Sequence, residues 1–309
     1  MCSLIKKINR FVTDSNIRFS YMNSLGFFKN MPDDEFLKKA YKIVMGQELD
    51  LDNPKTFNEK LQWLKLNNRK PEYTMMVDKY KVREYIKEQL GEDYLIPLLG
   101  VWEDPDEIDF DSLPNQFVLK CNHNSGLGMY ICKDKSKLDV KKVKKELKKG
   151  LKQDYYLQFR EWPYKNVSRK IICEKYMTDE TAMYLKEEDR ELADYKFFCF
   201  NGVPKIMYIS HDNAANATTD FFDMDFKRLN IRMKDPNSDV VPSKPAKFDE
   251  LKLIAEKLSK GIPFVRVDMY VINGQIYFGE LTFFHNAGFT KIYPEEWEKK
   301  LGDWINLIN

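Results

Sequence analysis

The sequence lacks a long apolar segment, a cysteine cluster and a net charge. No run approaches the roughly 20 apolar residues that cross a bilayer, and charges interrupt residues 1–28, so we expect no secretory signal. The five cysteines lack Cys-x-x-Cys spacing, which is typical of reduced proteins. Lys and Arg number 50 against 48 Asp and Glu, so no overall field favours nucleic acid. These absences predict a cytoplasmic protein without a nucleic-acid partner, whose contact with lipid is limited to the inner face of the membrane.

The composition is that of a globular protein with room for two domains. It is 43% hydrophobic and 14% aromatic over 309 residues. The first 70 residues have the pattern of helices joined by short polar turns. Thr56 and Glu59 have the spacing of a capping box at the start of one helix, and a further helix is predicted from about Pro71 to Leu90. From Tyr94 the pattern changes to strands.

A predicted strand that ends in a lysine runs into a loop with two glycines. The strand is Phe117–Lys120, the loop is 121–128, and 129–132 return as a strand. The backbone N–H groups of such a loop can cradle phosphate. It is not a Walker loop, because no helix follows and the lysine precedes the glycines. A purely structural loop remains the alternative, and His123 within it is as consistent with a loop hydrogen-bonder as with a catalyst.

Three further segments have a distinct pattern. Residues 138–152 form a basic amphipathic helix whose lysines either face solvent or meet an anionic lipid or polymer. Residues 168–176 form an apolar strand that carries Glu174 and leads into a polar stretch with the character of a hinge. Residues 194–210 are predicted to form a hairpin with a lysine, Lys196, in its first strand.

The last hairpin carries the residues with the clearest chemistry. Alternating apolar residues run into Asn273-Gly274, a strong turn signal, and a second strand returns. Asp268 and Glu280 lie in the two strands, and Arg266 lies two residues before Asp268, on the same face. Facing acids repel and require a compensating charge. The hairpin therefore predicts either a divalent cation held by oxygen ligands or a buried arginine–carboxylate network.

Six motifs follow one another along the chain: Asn53-Pro-Lys-Thr-Phe-Asn-Glu-Lys-Leu-Gln-Trp63, Asp78-Lys-Tyr-Lys-Val-Arg83, Phe117-Val-Leu-Lys-Cys-Asn-His123, Arg160-Glu-Trp-Pro-Tyr164, Asp194-Tyr-Lys-Phe-Phe198 and Arg266-Val-Asp-Met-Tyr270. In this order they resemble the ATP-grasp superfamily, and most closely the TupA-like ATP-grasp proteins encoded with bacterial surface-polysaccharide genes. The resemblance implies an α+β fold of the ATP-grasp type, in which two α+β lobes close on ATP, with an N-terminal helical arm. The implied domains are a helical region (1–75), a lobe with the phosphate flap (76–173) and a lobe with the metal site (174–309).

The resemblance also implies ATP and Mg²⁺ as cofactors, and it assigns roles to individual residues. Lys196 and Arg266 would be catalytic, with Arg266 stabilising the phosphoryl group in transfer or an acyl-phosphate. The implied nucleotide-binding residues are Lys120, Asn122, His123, Ser125, Gly126, Glu174, Lys175, Met177, Glu180 and Lys196. The implied metal ligands are Asp268, Glu280 and Thr282.

One position departs from the pattern of the peptide-ligase relatives. Thr282 stands where those relatives have an asparagine, and a hydroxyl is a poorer magnesium ligand than an amide oxygen. Whether one ion or two are bound is therefore left open. His285 and Asn286, which follow closely, are the residues that could compensate.

ATP-grasp ligases phosphorylate a carboxylate to an acyl-phosphate, which a nucleophile then attacks. The resemblance therefore implies a ligase that forms an amide or related bond during the assembly of a bacterial capsule or similar surface polymer. Its substrate would be a sugar acid or an amino acid, with a polysaccharide or lipid-linked precursor as a further partner. The polar segment 211–247 has the character of a substrate loop.

Three other functions remain as alternatives. A glycosyltransferase is suggested by Asp223-Met-Asp225, which matches a short metal-binding signature but equally fits a solvated turn. A sugar kinase would use the same ATP and magnesium site and leave the phosphate on its product. A non-catalytic module could bind an acidic polymer through the lysines of 138–152. The joint presence of Lys120, Lys196, Arg266, Asp268 and Glu280 argues against the last of these, because a module without catalysis requires none of them.

Overall fold

The computed structural model describes residues 11, 13–179, 192–211 and 217–307. The described helices are α1 (Ser15–Ser24), α2 (Asp33–Met45), α3 (Phe57–Asn67), α4 (Glu72–Val77), α5 (Val82–Gln89), α6 (Val140–Lys152), α7 (Tyr156–Phe159), α8 (Phe248–Ser259) and α9 (Glu296–Asp303). The described strands are β1 (Leu98–Trp102), β2 (Phe117–Cys121), β3 (Met129–Cys132), β4 (Ile171–Lys175), β5 (Asp194–Phe200), β6 (Val203–His211), β7 (Thr218–Asp223), β8 (Arg228–Leu229), β9 (Phe264–Ile272) and β10 (Gln275–Thr282).

The strands form two antiparallel sheets, which together with the helices confirm the predicted α+β class. The first sheet has the order β1-β4-β2-β3 and the second the order β10-β9-β5-β6-β7-β8. None of the described helices combines the length and the apolar content needed to span a bilayer.

Helix α6 covers one face of the first sheet, and the opposite face is only partly covered. Val143 and Leu147 of α6 are buried against Phe117 and Leu119 of β2, which point to the covered face. Because side chains alternate along a strand, Lys120 of β2 points to the opposite face. Two apolar side chains of β3 on that face, Met129 and Ile131, are about half exposed, so an apolar surface is available beside Lys120.

The second sheet is organised in the same way. Helix α8 packs on one face, where Phe197, Cys199 and Val267 are fully buried. The thiol of Cys199 contacts the Ala255 carbonyl of that helix. The residues that alternate with these, including Lys196, point to the other face, which carries the site.

The N-terminal helical region divides between two cores. Helices α1 and α2 form a small apolar cluster around Phe36 and Tyr41. Helix α3 begins with the predicted capping box of Thr56 and Glu59, and its Phe57 packs on Phe264 of the second sheet, with ring centroids 5.0 Å apart. The helical region 1–75 is thus joined to the C-terminal lobe by packing, although it lies far from that lobe in sequence.

The predicted single helix from Pro71 to Leu90 is wrong, because the chain breaks between α4 and α5. The Asp78 carboxylate accepts hydrogen bonds from the backbone N–H groups of Tyr80 and Lys81, at 2.9 and 3.3 Å. It therefore starts a new helix in place of continuing the first. The same carboxylate accepts from the Asn122 side chain at 2.7 Å, which ties the break to the loop after β2.

The predicted lobe boundary between residues 173 and 174 falls inside β4. That strand pairs with both β1 and β2 up to Lys175. Glu174 therefore belongs to the sheet of the first lobe, and the first sheet ends two residues later than the sequence suggested.

Candidate active site

The polar face of the second sheet carries a row of charges across three neighbouring strands. Lys196 of β5 pairs with Asp268 of β9, and Asp268 pairs with Glu280 of β10. Direct cross-strand partners on one face have side chains close enough to interact. The sheet therefore brings together three of the residues that the sequence assigned to catalysis or metal binding.

Glu280 reaches this face through a β-bulge. Phe278 pairs with Met269, and Glu280 pairs with Asp268, so Gly279 is an extra residue in β10. A Cβ at Gly279 would lie 2.9 Å from the Asp268 carbonyl oxygen, which is tighter than real contacts allow. Glycine thus permits the bulge, and the bulge turns the next side chain toward Asp268.

Arg266 contacts both Asp268 and Glu280. Its Nε and Nη2 donate to the two Asp268 oxygens at 2.6 and 2.5 Å, and Nη2 also donates to Glu280 Oε1 at 2.8 Å. Its Nη1 lies 3.0 Å from His285 Nδ1. The arginine–carboxylate network that the sequence offered as an alternative to a metal site is thus present.

The ionisation of this cluster follows from its burial and its mutual charges. Burial alone would raise the pKa of Asp268, but Arg266 and Lys196 outweigh it and hold that pKa below its ordinary value. Burial would lower the pKa of Lys196, but Asp268 and then Asp194 raise it. The carboxylate, the ammonium and the guanidinium are therefore charged at neutral pH.

Asp194 is a member of the cluster that sequence reasoning did not single out. Its Oδ2 contacts the Lys196 ammonium, while its Oδ1 is buried without a hydrogen-bond partner in the described part of the chain. Burial and then the Asp268 charge raise the pKa of Asp194 to about 7. The i, i+2 spacing from Lys196 was the available signal, because it places both side chains on one face.

Lys120 lies on the face of the first sheet opposite α6, where its ammonium is paired with an acid. Its Nζ is 2.6 Å from Glu174 Oε2, and Arg83 Nη1 is 3.3 Å from Glu174 Oε1. Glu174, predicted to bind the nucleotide, thus has contacts that fix the direction of the lysine. Arg83, on α5, was not predicted for the site; the Asp78–Arg83 motif that contains it was the available signal.

Lys79 is a further cation that the sequence reasoning missed, because the predicted continuous helix concealed it. The break between α4 and α5 releases its side chain, and Nζ donates to the Asn124 carbonyl at 2.6 Å. Burial lowers the pKa of Lys79, and the charges of Glu280, Lys120 and Glu174 also act on that pKa. The contact with Asn124 ties the Lys79 side chain to the loop after β2.

The loop after β2 separates into a buried half and an exposed half. The Asn122 amide donates to Asp78 and to the Ser168 carbonyl and accepts from the Lys170 N–H, so protein groups occupy its polar atoms. His123 is buried, with Nε2 3.1 Å from the Gln153 carbonyl. Ser125 and Gly126 are exposed. The buried half anchors the loop, and the exposed half is the part free to contact a phosphate.

Two predicted residues follow Glu174 on the edge of the first lobe. Lys175 is exposed, and its backbone N–H donates to the Pro97 carbonyl at 2.9 Å. Met177 is partly buried. Glu180, predicted to bind the nucleotide, lies outside the described residues. The nucleotide-binding roles of these residues stay predictions.

Thr282, at the end of β10, stands where the peptide-ligase relatives have an asparagine, and His285 follows closely. The Thr282 hydroxyl donates to Glu280 Oε1 at 2.9 Å, so it orients a carboxylate. His285 is buried, and burial followed by the Arg266 charge lowers its pKa well below the ordinary value. A neutral ring that accepts from Arg266 at Nδ1 carries its proton on Nε2. In this arrangement His285 supports Arg266.

The residues present fit a magnesium ion that shares its coordination with phosphate oxygens. Among the described residues no three His, Cys, Asp or Glu side chains converge on a closed metal site. Mg²⁺ is commonly held by one or two carboxylates, with substrate phosphates and water completing the octahedron. Asp268 and Glu280 supply two carboxylates, and the orphaned Asp194 Oδ1 is a third buried oxygen beside them. Lys120, Lys79 and Lys196 supply the positive charge that a triphosphate requires.

The residues of the Asp223-Met-Asp225 signature form a turn. Asp223 Oδ1 accepts from the backbone N–H groups of Asp225 and Lys227, at 3.0 and 2.8 Å. These bonds close the hairpin between β7 and β8. The predicted irregular segment 211–247 thus contains both of these strands in its described part.

A scan against protein-family models matches residues 59–306 to TupA-like ATPgrasp. The chain belongs to the TupA-like ATP-grasp family. The match confirms the predicted family and the predicted ATP-grasp fold. A comparison with curated proteins found no match.

Solved structures with some likeness to this ATP-grasp chain include two D-alanine–D-alanine ligases. The enzyme from Bacillus anthracis, complexed with ATP, is 15% identical with a TM-score of 0.39, over 68% of this chain and 54% of that one. The enzyme from Helicobacter pylori is 14% identical with a TM-score of 0.45, over 75% and 62%. An N5-carboxyaminoimidazole synthase from Aspergillus clavatus is 12% identical with a TM-score of 0.39, over 69% and 46%. The matches thus span less than two thirds of these proteins.

Proposed function

We propose that this protein is a ligase that uses Mg-ATP to activate a carboxylate as an acyl-phosphate and joins it to an amine or related nucleophile. The observation that carries the proposal is the cluster of Lys196, Arg266, Asp268 and Glu280 on one sheet face. Lys79 and Lys120 of the other lobe add two further cations, and the charges of Glu280 and Lys120 both act on the pKa of Lys79. Phosphoryl transfer depends mainly on such positioning and charge stabilisation.

Each charged residue has a distinct task in this reaction. Bound Mg-ATP would supply the phosphoryl group, with ADP as the leaving group. Lys120 and Lys79 are placed to hold phosphate oxygens, and Asp268 and Glu280 to hold the ion. Arg266 and Lys196 stabilise the negative charge of the phosphoryl group while it moves to the substrate carboxylate.

The second half of the reaction requires exclusion of water. The nucleophile attacks the acyl carbon, the bond to phosphate breaks, inorganic phosphate leaves, and the nucleophile gives up its proton. Water would compete at the acyl carbon, so the lobes must cover the intermediate. The half-exposed Met129 and Ile131 beside Lys120 are the kind of apolar surface that such a cover requires.

The substrate class and the cellular location form the second part of this proposal. The sequence resemblance favours a sugar acid or an amino acid as substrate, or a precursor linked to a polysaccharide or a lipid, in the synthesis of a bacterial surface polymer. Peripheral contact with the inner face of the membrane is supported by the exposed apolar residues Tyr21, Leu25 and Phe27 of the helical arm.

A thermal-shift experiment tests the nucleotide site first. A ligand at about 100 times its Kd stabilises a protein by roughly 2.7 kcal/mol, so Mg-ATP and Mg-ADP should raise the Tm. Lys120→Ala and Asp268→Asn should lose this response. Lys141→Ala and Asp249→Asn change exposed residues of α6 and α8 and should keep it. A Tm that responds to Mn-UDP-sugars alone, and is indifferent to Asp268→Asn, would support the glycosyltransferase in place of the ligase.

The ligase reaction is tested by trapping its intermediate. Hydroxylamine converts an acyl-phosphate into a hydroxamate, so uronic acids and amino acids are screened for carboxylate-dependent hydroxamate and phosphate release. A sugar kinase uses the same site but keeps phosphate on its product. Formation of ADP in the presence of a neutral sugar, without release of inorganic phosphate, would therefore favour the kinase.

A further inference from the structure

Glu161 is a buried carboxylate for which the described structure provides no partner. It follows α7 and precedes a short 3-10 turn, Trp162–Tyr164. Its side chain is only 7% exposed. Within the described residues it makes no hydrogen bond and no ion pair, unlike Asp78, Asp220 or Asp268, which are buried and bonded. Buried carboxylates are ordinarily paired, so an unpaired one requires an explanation.

The nearest buried cation does not provide that explanation. Lys65 is fully buried and acts electrostatically on Glu161. Its ammonium, however, donates to Gln62 Oε1 at 2.9 Å and to the carbonyls of Phe159 and Ala287 at 2.8 Å each. An ammonium has three protons, and neutral oxygens accept all three. Lys65 therefore holds the chain in place and leaves the Glu161 oxygens free.

Arg160, the preceding residue in the same loop, is by contrast a buried charge whose contacts stabilise the fold. Arg160 is 1% exposed, and its guanidinium donates to the Phe28 carbonyl at 2.6 Å and lies 3.2 Å from Asp33. Arg160 has a left-handed backbone, with φ of 57°. The loop is thus anchored to the helical arm by Arg160 and turns sharply before Glu161.

The loop that carries Glu161 lies beside the candidate active site. Lys65 donates to the carbonyls of Phe159, two residues before Glu161, and of Ala287, two residues after His285, and His285 contacts Arg266. After burial and Lys65, the charges that act on its pKa are Glu280, which raises it, and Arg266, which lowers it. Two tyrosines share this environment. Tyr155 and Tyr164 contact each other edge to face, with centroids 4.7 Å apart, and Glu161, Glu280 and Arg266 act on the pKa of each. The carboxylate and the two aromatic rings therefore lie close enough to Glu280 and Arg266 for those charges to act on them.

We propose that Glu161, with Tyr155 and Tyr164 beside it, binds the cationic ammonium group of the amine substrate. A carboxylate with neighbouring aromatic rings suits an ammonium ion and repels phosphates and the acid substrate. The acid substrate would then lie nearer Arg266 and Lys196. This inference rests on the proposed ligase function and narrows its nucleophile to a primary amine that arrives charged.

The first test concerns binding of the amine. Glu161→Gln keeps the size of the side chain and removes the carboxylate, so it separates the role of the charge from that of packing. Methylammonium and glycinamide should raise the Tm of the wild type, and the affinity for them should fall about tenfold or more in Glu161→Gln. Glu161→Asp keeps the charge and should retain part of the response. Glu298→Gln, a change at a Glu of α9 paired with Asn58, should keep the full response.

The second test separates this proposal from the ligase proposal. With a carboxylate found in the hydroxamate screen, Glu161→Gln should lower kcat/KM for methylamine by a larger factor than for hydroxylamine, which is mostly uncharged at neutral pH. Equal losses for both nucleophiles, or a Tm response to amines that Glu161→Gln leaves intact, would overturn the role of Glu161. A wild type that binds the amines but forms no hydroxamate with any carboxylate would instead overturn the ligase.

Discussion

Glu280 faces Asp268 across β10 and β9 because Gly279 adds one residue to β10. Regular pairing continued from the Asn273-Gly274 turn would place Glu280 opposite Val267, whose side chain is buried on the other face under α8. The extra residue Gly279 therefore places Glu280 on the same face of the sheet as Asp268.

Replacing this glycine should damage the site and the fold together. In Gly279→Ala the new Cβ would meet the Asp268 carbonyl at 2.9 Å and Tyr270 Cε2 at 3.1 Å. Relief of that contact requires β9 and β10 to shift, at a cost of about 1–3 kcal/mol. Urea unfolding with and without Mg-ATP measures both effects: a lower free energy of unfolding and a weaker stabilisation by nucleotide.

A second glycine provides the control for this prediction. Gly46 has φ of +76° with nothing within 4 Å, so Gly46→Ala strains the backbone without a steric contact. It should lower stability by about 1 kcal/mol and keep the full response to Mg-ATP. Equal nucleotide responses in the two variants would show that the bulge does not matter for the site.

Lys196 should prove to be a structural counter-ion as well as a catalytic group. Lys196→Met leaves Asp194 and Asp268 buried beside each other without their shared ammonium. Removing one partner of such a pair costs about 3–5 kcal/mol. At a pH above the raised pKa of Asp194, the double variant with Asp194→Asn should recover most of this loss, since one unpaired charge is gone, while phosphoryl transfer stays absent. Chemical unfolding of the two single variants and the double variant measures the coupling; simple additivity would contradict it.

Local patterns predicted a large part of this structure. The capping box at Thr56, the Asn273-Gly274 hairpin and the placement of Arg266 and Asp268 on one face follow from spacing alone. These features depend on residues within a few positions of each other, so the sequence contains the whole of their cause.

Long-range contacts account for what the sequence did not reveal. The helix break at Asp78 is held by Asn122, 44 positions away, and helix periodicity around Asp78 gives no sign of it. Glu161 lies in the Arg160–Tyr164 motif, whose sequence does not indicate a role for it. Only the structure shows that the Lys65 ammonium makes its hydrogen bonds to other groups. Burial and satisfaction of polar atoms are properties of the assembled fold, so sequence spacing does not report them.

Glu174 should act on nucleotide binding through Lys120. The lysine contacts Glu174 Oε2 at 2.6 Å, so the acid fixes the direction of the ammonium. Lys120→Ala should weaken binding of Mg-ATP by about 2 kcal/mol, or roughly thirtyfold in Kd, the worth of a charged hydrogen bond. Glu174→Gln should weaken it less, and the double variant should be no worse than Lys120→Ala. Calorimetric titration tests this; a double variant with fully additive losses would show that Glu174 contacts the nucleotide independently.

Stability should depend on pH through Glu298, far from the site in the contact between α9 and α3. Burial raises the pKa of Glu298 above its ordinary 4.5, opposed by hydrogen bonds from Asn58, and the nearby Glu59 raises it further. The folded protein then binds this proton more tightly than the unfolded chain, so the contribution is greatest below pH 4.5 and is lost as the pH rises through the folded pKa. Glu298→Gln does not titrate, and its stability relative to the wild type should therefore increase with pH across this window. Urea unfolding at a series of pH values measures the difference; a difference that stays constant with pH would mean that the carboxylate titrates normally in the folded protein.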